Sequence, residues 1–514
     1  MAERFYITTP IYYPNGEPHL GHLYTTLCAD TVARYMRLTG RDVFFLTGTD
    51  EHGVKMVKSA AEVGTTPDQL ADRNARVFQE TFRRWHMSND DFIRTTQDRH
   101  KTAVQEIVRR LLASGDIYLG SYEGWYDEGQ EEFVTESNAK AQDYKSAISG
   151  RPLTRYSEPT YFFRLGRYVP RIIDHIERNP AFVRPESRRN EVLSKLRMGV
   201  DDLSISRPSL KWGIPMPNDP GHVLYVWIDA LSNYVTALGM PPGDGRGYWP
   251  ASVHLIGKEI LWFHAVYWPA MLMALGWPLP KQLFAHGWWT AEGKKMSKSM
   301  GNFIDIDRLD RYAATYTQDA VRYYLLRAAP FGSDLDFAEA DFIKAFNELA
   351  DLPGNGLNRV IRMLGSYEGG RVPELTDARL EPQDRQLLAQ ADALAGELAR
   401  AYGELELQAA ALQPIELARS VNGYIEATAP FKMKDPSLRT RRATVLAVAA
   451  RALAVVYVGL LPVLPEKAVA ALAQLGIPAG DAPHLDKLLQ RAASLAGTML
   501  SAPTPLFPKP QTTG

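Results

Sequence analysis

A single cysteine, Cys28, stands among 514 residues. No disulfide can form within the chain, which excludes a bridged secreted scaffold and suits a reducing compartment such as the cytoplasm. Long uninterrupted apolar runs are also scarce. The most apolar stretch, "ATVLAVAARALAVVYVGLLPVLP" at 443–465, is split by Arg451 and closed by Pro462 and Pro465. It falls short of the ~18 unbroken apolar residues a membrane span needs, and so predicts a buried helix and no membrane partner. Neither sign of charge is in excess: 58 Lys and Arg face 59 Asp and Glu, for a net charge of −1. Any nucleic-acid surface must therefore be local. The first residues, Met-Ala-Glu-Arg-Phe-Tyr-Ile-Thr-Thr, enter a strand pattern at once and leave no room for a targeting peptide. Internal repeats and low-complexity tracts are missing. A soluble cytoplasmic protein is the expectation.

What is present is an ordinary globular composition, 45% hydrophobic and 23% charged, in a chain too long for one core. Residues 5–13, "FYITTPIYY", read as a strand, and "PNGEP" turns the chain. From about 20 to 39, Tyr24, Leu27, Cys28, Thr31, Tyr35 and Leu38 recur at helical spacing up to Gly40. "DVFFLTG" at 42–48 reads as a buried strand, completing a parallel strand–helix–strand unit. The expected fold is α/β. A Rossmann-like parallel-sheet domain (1–115 and 221–290) is split by an inserted module (116–220), followed by a loop and contact region (291–345) and an all-α helical bundle with an extended tail (346–514). Ligands of such sheets bind beyond the carboxyl ends of the strands. His19 and His22 follow the first strand and Asp50 the second, so all three face one crevice.

Two short segments carry chemistry. "PHLGHLY" at 18–24 opens a helix, where free N–H groups and a partial positive charge suit phosphate. Gly21 lets a flat group approach the backbone, and His19 and His22 add donors. "GKKMSKS" at 293–299 sets Lys294, Lys295 and Lys298 around Met296 and two serines, as mobile positive charges able to follow phosphates. Taken singly, the first also fits ordinary loop histidines and the second a solvated basic turn. No Cys-His or Gly-x-Ser-x-Gly nucleophile apparatus accompanies them.

Together, the histidine pair after the first strand and the lysine loop some 270 residues later resemble the two signatures of class I aminoacyl-tRNA synthetases. "TTPIYYPNGEPHLGHLYTT", "FFLTGTDEHG", "YVWIDALSNY", "IGKEILWFHAVYWPAML" and "KMSKSMGN" resemble the methionyl-tRNA synthetase family, in order and spacing from residue 5 to at least residue 345. "GNGLNR", "APFK" and "LFP" extend the likeness loosely through the helical remainder.

The resemblance implies methionyl-adenylate formation from methionine and ATP, with Mg²⁺ arriving on ATP, then transfer to the terminal ribose of tRNA(Met), initiator and elongator alike. It implies ATP contacts at His19, Gly21, His22, Gly257, Lys295, Ser297 and Lys298, with His19, His22, Lys295 and Lys298 catalytic and Lys298 foremost. It places Asp50 on the substrate ammonium; a helix N-cap is the other reading of that aspartate. Pro10, Ile11, Tyr13, Trp227, Ala230, Leu231, Tyr234, Ile260, Phe263, His264 and Trp268 complete the methionine pocket, where aromatic rings make favourable sulfur contacts. Read without the resemblance, "WFHAVYW" is an aromatic-rich core helix. Arg359, Pro430 and Phe431 match the family's anticodon residues, with Phe in place of the usual Trp. The basic run "KMKDPSLRTRR" at 432–442 suits an RNA backbone or an ordinary helix start.

Departures also inform. Residues 101–174 hold neither Cys nor His, so the zinc knuckle of many relatives cannot form there, and no metal site is expected. Asp127, Glu128, Glu131 and Glu132 could attract a cation but read better as a solvated acidic face. No appended C-terminal tRNA-binding domain is found, which favours a monomer. Synthetases for leucine, isoleucine, valine or cysteine share the two signatures, but the aliphatic ones usually carry a long editing insertion and the cysteine enzymes a zinc site. An RNA-binding or regulatory relative with a dead active site is the other alternative.

Overall fold

The computed structural model describes residues 2–510 apart from 128–131, 135, 147–149, 209, 297–300 and 481–482. Its centre is a six-stranded sheet built from β1 (Arg4–Tyr12), β2 (Asp42–Thr49), β3 (Asp91–Arg94), β4 (Val183–Arg184), β5 (Val253–Gly257) and β6 (Leu283–His286). The strand order is β3-β2-β1-β5-β6-β4, with every neighbour parallel. Covered on both faces, such strands carry continuous apolar runs. β5 is buried at all five positions, and Thr8 and Thr9 of β1 are buried with their apolar neighbours. Thr9 Oγ1 donates to Thr47 Oγ1 at 2.7 Å, which satisfies both hydroxyls within the sheet.

Helix α1 (Leu20–Leu38) connects β1 to β2 and buries 15 of its 19 residues, so it is packed on almost every side. It stops where Gly40 takes φ +82°, a left-handed conformation that glycine adopts without strain. The order reverses beside β1: the chain runs outward through β2 and β3, then returns to the other side as β5 and β6. That reversal opens the crevice at the carboxyl ends of β1 and β5.

Between the halves lies a four-stranded antiparallel sheet of Ile117–Asp127, Glu132–Val134, Thr154–Phe163 and Leu203–Ser204. Val183–Arg184, from the same stretch of sequence, nevertheless hydrogen-bonds to β6 as the edge strand of the central sheet. Glu128 and Glu131 lie outside the described residues, and Asp127 and Glu132 are described for their backbone alone.

The C-terminal part packs α2 (Asn355–Glu368), α3 (Pro382–Gly403), α4 (Leu407–Thr428) and α5 (Arg439–Leu460) together. α5 is the apolar stretch expected to be a buried helix. By length and composition alone Pro436–Leu460 could cross a membrane, but 89% of its most apolar window is buried inside the protein. Arg451 sits at its half-buried edge and donates to Asp392 at 2.8 Å. One apolar core runs from α1 and its strands into this bundle. Tyr35 of α1 stacks on Tyr402 of α3 with centroids 3.9 Å apart.

Candidate active site

His19 is the N-cap of α1. Its Nδ1 accepts the Gly21 N–H at 3.1 Å, and its own N–H donates to His22 Nδ1 at 3.2 Å. A nitrogen that accepts carries no proton, so in its neutral form either ring holds its proton on Nε2. Burial, reinforced by the neighbouring His19, holds the His22 imidazole well below its ordinary range and keeps it neutral. The rings lie 3.9 Å apart. The sequence set two imidazoles at this helix mouth; the structure ties them to each other and to the first turn.

The segment that follows the lysine loop reaches the same place. Lys294–Lys295 form a short strand against Trp289–Ala291, and the chain leaving the loop crosses the start of α1. The Leu20 N–H donates to the Ile304 carbonyl at 3.1 Å, His19 bridges Asp305, and Phe303 meets the His19 ring edge-on at 5.3 Å. Ser297 and Lys298 lie outside the described residues, and Lys295 is described for its backbone alone. Gly257 ends β5 in this crevice, where a Cβ would come within 2.4 Å of the Glu259 carboxylate.

Asp50 follows β2, and its N–H donates to the Tyr12 carbonyl at 2.8 Å. The side chain is buried, and Oδ1 has no hydrogen-bond partner. Burial pushes its carboxyl well above the usual range, and the Asp229 charge adds to this. A buried carboxylate oxygen without a donor is costly unless a ligand supplies one, and a cation supplies both donor and counter-charge.

Asp50 opens into a cavity of about 160 Å³ lined by Pro10, Ile11, Tyr13, Trp227, Ala230, Leu231, Tyr234, Ile260 and His264, together with Lys55 and Asn233. The first nine come from the sequence reading. Phe263 and Trp268 are not among the lining residues. Phe263 stacks behind Trp227 at 3.7 Å, while Trp268 is fully buried near Tyr234. Lys55 lies over the Tyr13 ring, and nothing local distinguishes it in sequence from a solvated lysine. Asn233 could have been read from its place beside Tyr234. The His264 ring donates from Nδ1 to the Ile260 carbonyl at 2.9 Å and accepts the Tyr234 hydroxyl at Nε2 at 2.7 Å. Burial lowers its pKa to about 4, so the pocket wall is neutral there.

In the bundle, Arg359 of α2 lies 5.9 Å from the Phe431 ring and pairs with Glu426 at 2.7 Å. Phe431 is half-buried in a tight turn after Ala429, and Pro430 is buried beside it. Lys432, Lys434 and Arg439 are exposed. Arg441 and Arg442 turn inward to Asp384 and the Met433 carbonyl, so the outward charge is smaller than the run suggests.

A parallel sheet whose first strand feeds a histidine-capped helix, met by a lysine loop from beyond the last strands, is the arrangement of class I aminoacyl-tRNA synthetases. The family model for class I tRNA synthetases (M) matches residues 5–142 and 137–361. A methionine–tRNA ligase of Enterococcus faecalis is 44% identical over 99% of this chain and 77% of its own length. One from Rhizobium meliloti is 43% identical over 98% of both. Mycobacterium tuberculosis methionyl-tRNA synthetase in complex with methionyl-adenylate superposes with a TM-score of 0.90, at 40% identity, covering 98% and 100% of the two chains. Its apo form gives 0.84 at 37% identity, covering 99% of each. The chain belongs to the methionyl-tRNA synthetase family.

Proposed function

We propose that this site joins methionine to tRNA(Met) in two steps, with the residues in the following roles. The methionine carboxylate attacks the α-phosphorus of ATP, forming methionyl-adenylate and releasing pyrophosphate. A terminal ribose hydroxyl of the tRNA then takes the methionyl group and releases AMP. Such chemistry needs positioning and charge stabilisation rather than a protein nucleophile.

His19 and His22 donate from Nε2 to phosphate oxygens, and Gly21 and Gly257 let the nucleotide approach the backbone. Lys295, Ser297 and Lys298 take the phosphate-contacting roles that the family resemblance implies. Mg²⁺ enters on ATP. Asp50 binds the ammonium, and Tyr13, Trp227, Tyr234 and His264, with the aliphatic lining, enclose the thioether. The single observation that carries this reading is the buried, partnerless Asp50 oxygen in a cavity walled mainly by aromatic and aliphatic side chains.

The zinc-knuckle chemistry of other relatives has no place in this reading, because the only thiol is buried in α1. Arg359, Pro430 and Phe431 receive the anticodon, with a base stacked on the phenyl ring, at about 1–3 kcal/mol. Initiator and elongator tRNA(Met) share that site. The working unit is a cytoplasmic monomer, with boundaries at 115, 220, 290 and 345. ATP–pyrophosphate exchange tests the proposal. Methionine drives exchange, leucine and isoleucine do not, and Lys298→Ala lowers the rate at least hundredfold. Exchange at full speed in that variant, or none with any amino acid, overturns it.

A further inference from the structure

Behind the amino-acid cavity lies a group of buried ionisable side chains that the reaction does not use. Both oxygens of Asp229 are taken by imidazoles: Oδ2 by His52 Nδ1 at 2.6 Å and Oδ1 by His100 Nε2 at 2.7 Å. The three side chains are 2%, 5% and 0% exposed, in that order. His100 Nδ1 continues the chain to Thr236 Oγ1 at 2.7 Å. Burial alone would push the Asp229 carboxyl up, but the two histidines outweigh it and hold the group at about 2.

His52, Asp229 and Thr236 are each joined to the cavity by one or two residues of backbone, and His100 links Asp229 to Thr236 from the helix Asp98–Ala113. His52 lies two positions after Asp50. Asp229 lies between Trp227 and Ala230, and Thr236 two positions after Tyr234. The linked segments come from opposite sides of the crevice: one follows β2, the other is the helical stretch from Val226 to Thr236. The loop is tied on its other side as well. Trp212 Nε1 donates to the Glu51 carbonyl at 2.7 Å, and the Glu51 carboxylate takes Arg94 at 2.6 and 3.0 Å. Gly53, at φ +98°, lets the chain turn against Tyr13 and Val226.

We infer that the His52–Asp229–His100 bridge is a positioning brace that sets the distance between the ammonium-binding Asp50 and the aromatic wall, and so sets affinity for the amino acid. The inference rests on the reading of the cavity as the methionine site. A buried charge-assisted bond holds one geometry where a flexible contact holds several, and sub-ångström placement decides how well an ammonium meets Asp50. The brace touches neither substrate. Its members are therefore positioning residues, and nucleotide binding at α1 is independent of them.

The test uses the full chain in methionine-dependent ATP–pyrophosphate exchange. His52→Ala is expected to raise the methionine KM at least tenfold while the ATP KM stays within twofold. His52→Asn retains an N–H at the position of Nδ1 and is expected to recover most of the loss. Thr236→Val, which leaves Asp229 and both histidines in place, gives the same selective effect at smaller size and serves if His52→Ala does not fold. A methionine KM within twofold of wild type in a folded His52→Ala, an equal rise in both KM values, or His52→Asn as impaired as His52→Ala overturns the brace. Wild-type enzyme without methionine-dependent exchange overturns the cavity reading instead.

Discussion

At the scale of single residues, Asp50 shows a group kept in an unfavourable state for the sake of a ligand. Burial, with the Asp229 charge beside it, raises its pKa, so the folded state binds its proton more tightly than the unfolded chain does. By linkage, that costs stability as pH rises above the ordinary carboxylate range, and the cost is absent below it. Asp50→Asn removes the charge. The variant is expected to have a higher melting temperature than wild type at pH 8 and no advantage at pH 4, by calorimetry without ligand. The same change deprives the ammonium of its counter-charge, worth about 3 kcal/mol in a buried pair, so the methionine KM rises roughly hundredfold. Methionine then stabilises wild type against heat and leaves the variant unmoved. The histidines behave differently. Because burial keeps His22 neutral, the exchange rate is expected to show no acid limb near pH 6.5, and His22→Asn lowers kcat with little change in the methionine KM. Asp50 and the histidines were legible because strand ends announce themselves locally. Lys55 and the His52–Asp229–His100 bridge were not, since a lysine reads as solvent-facing and the bridge joins residues 129 and 177 positions apart.

At the scale of elements, the first strand, helix and second strand follow their periodicity closely. The expected helix ended at Gly40, and α1 ends there for a reason the sequence only half shows. Gly40 has φ +82°, and a Cβ at that position would also come within 2.9 Å of His484 Nε2. Left-handed backbone costs a side-chain-bearing residue about 1–2 kcal/mol, and the contact with His484 adds to it. Gly40→Ala is expected to lower stability by about 2 kcal/mol, read from chemical denaturation, with both substrate KM values unchanged because the other end of α1 carries the site. Elsewhere periodicity was a weaker guide. Val183–Arg184 is only two residues long, too short for alternation to register, and its membership of the central sheet depends on β6. Trp268 and Phe263 belong to the aromatic-rich run, but only packing decides that Phe263 backs Trp227 while Trp268 enters the core.

At the scale of the molecule, the helix that presents His19 and His22 is joined to the C-terminal bundle by charge as well as by apolar packing. Arg322, fully buried, donates to Asp30 of α1 at 2.7 Å and to the Pro462 and Val463 carbonyls just beyond α5. Arg34 adds a second donor to Asp30 at 2.8 Å. Burial raises the Asp30 carboxyl, but Arg322 and Arg34 outweigh it and hold it at about 2. No sequence pattern could have paired residues 292 positions apart, and a buried arginine runs against expectation. Removing one member leaves the other charge stranded, so Arg322→Ala is expected to cost about 3–5 kcal/mol. The double change Arg322→Met with Asp30→Asn strands nothing and recovers most of that loss. The pH dependence gives an independent reading. A depressed carboxylate contributes stability above its unfolded value and loses it as pH falls through the folded value, so Asp30 accounts for about 2 kcal/mol that disappears between about pH 4 and pH 2. Without Arg322 the depression is smaller and most of that window closes. Denaturation of wild type and Arg322→Ala should therefore show a gap at pH 2.5 that is smaller than the gap at pH 7 by about 1–2 kcal/mol. A gap of the same size at both values would mean that Arg322 acts by filling space, and that the charge between α1 and the bundle contributes little.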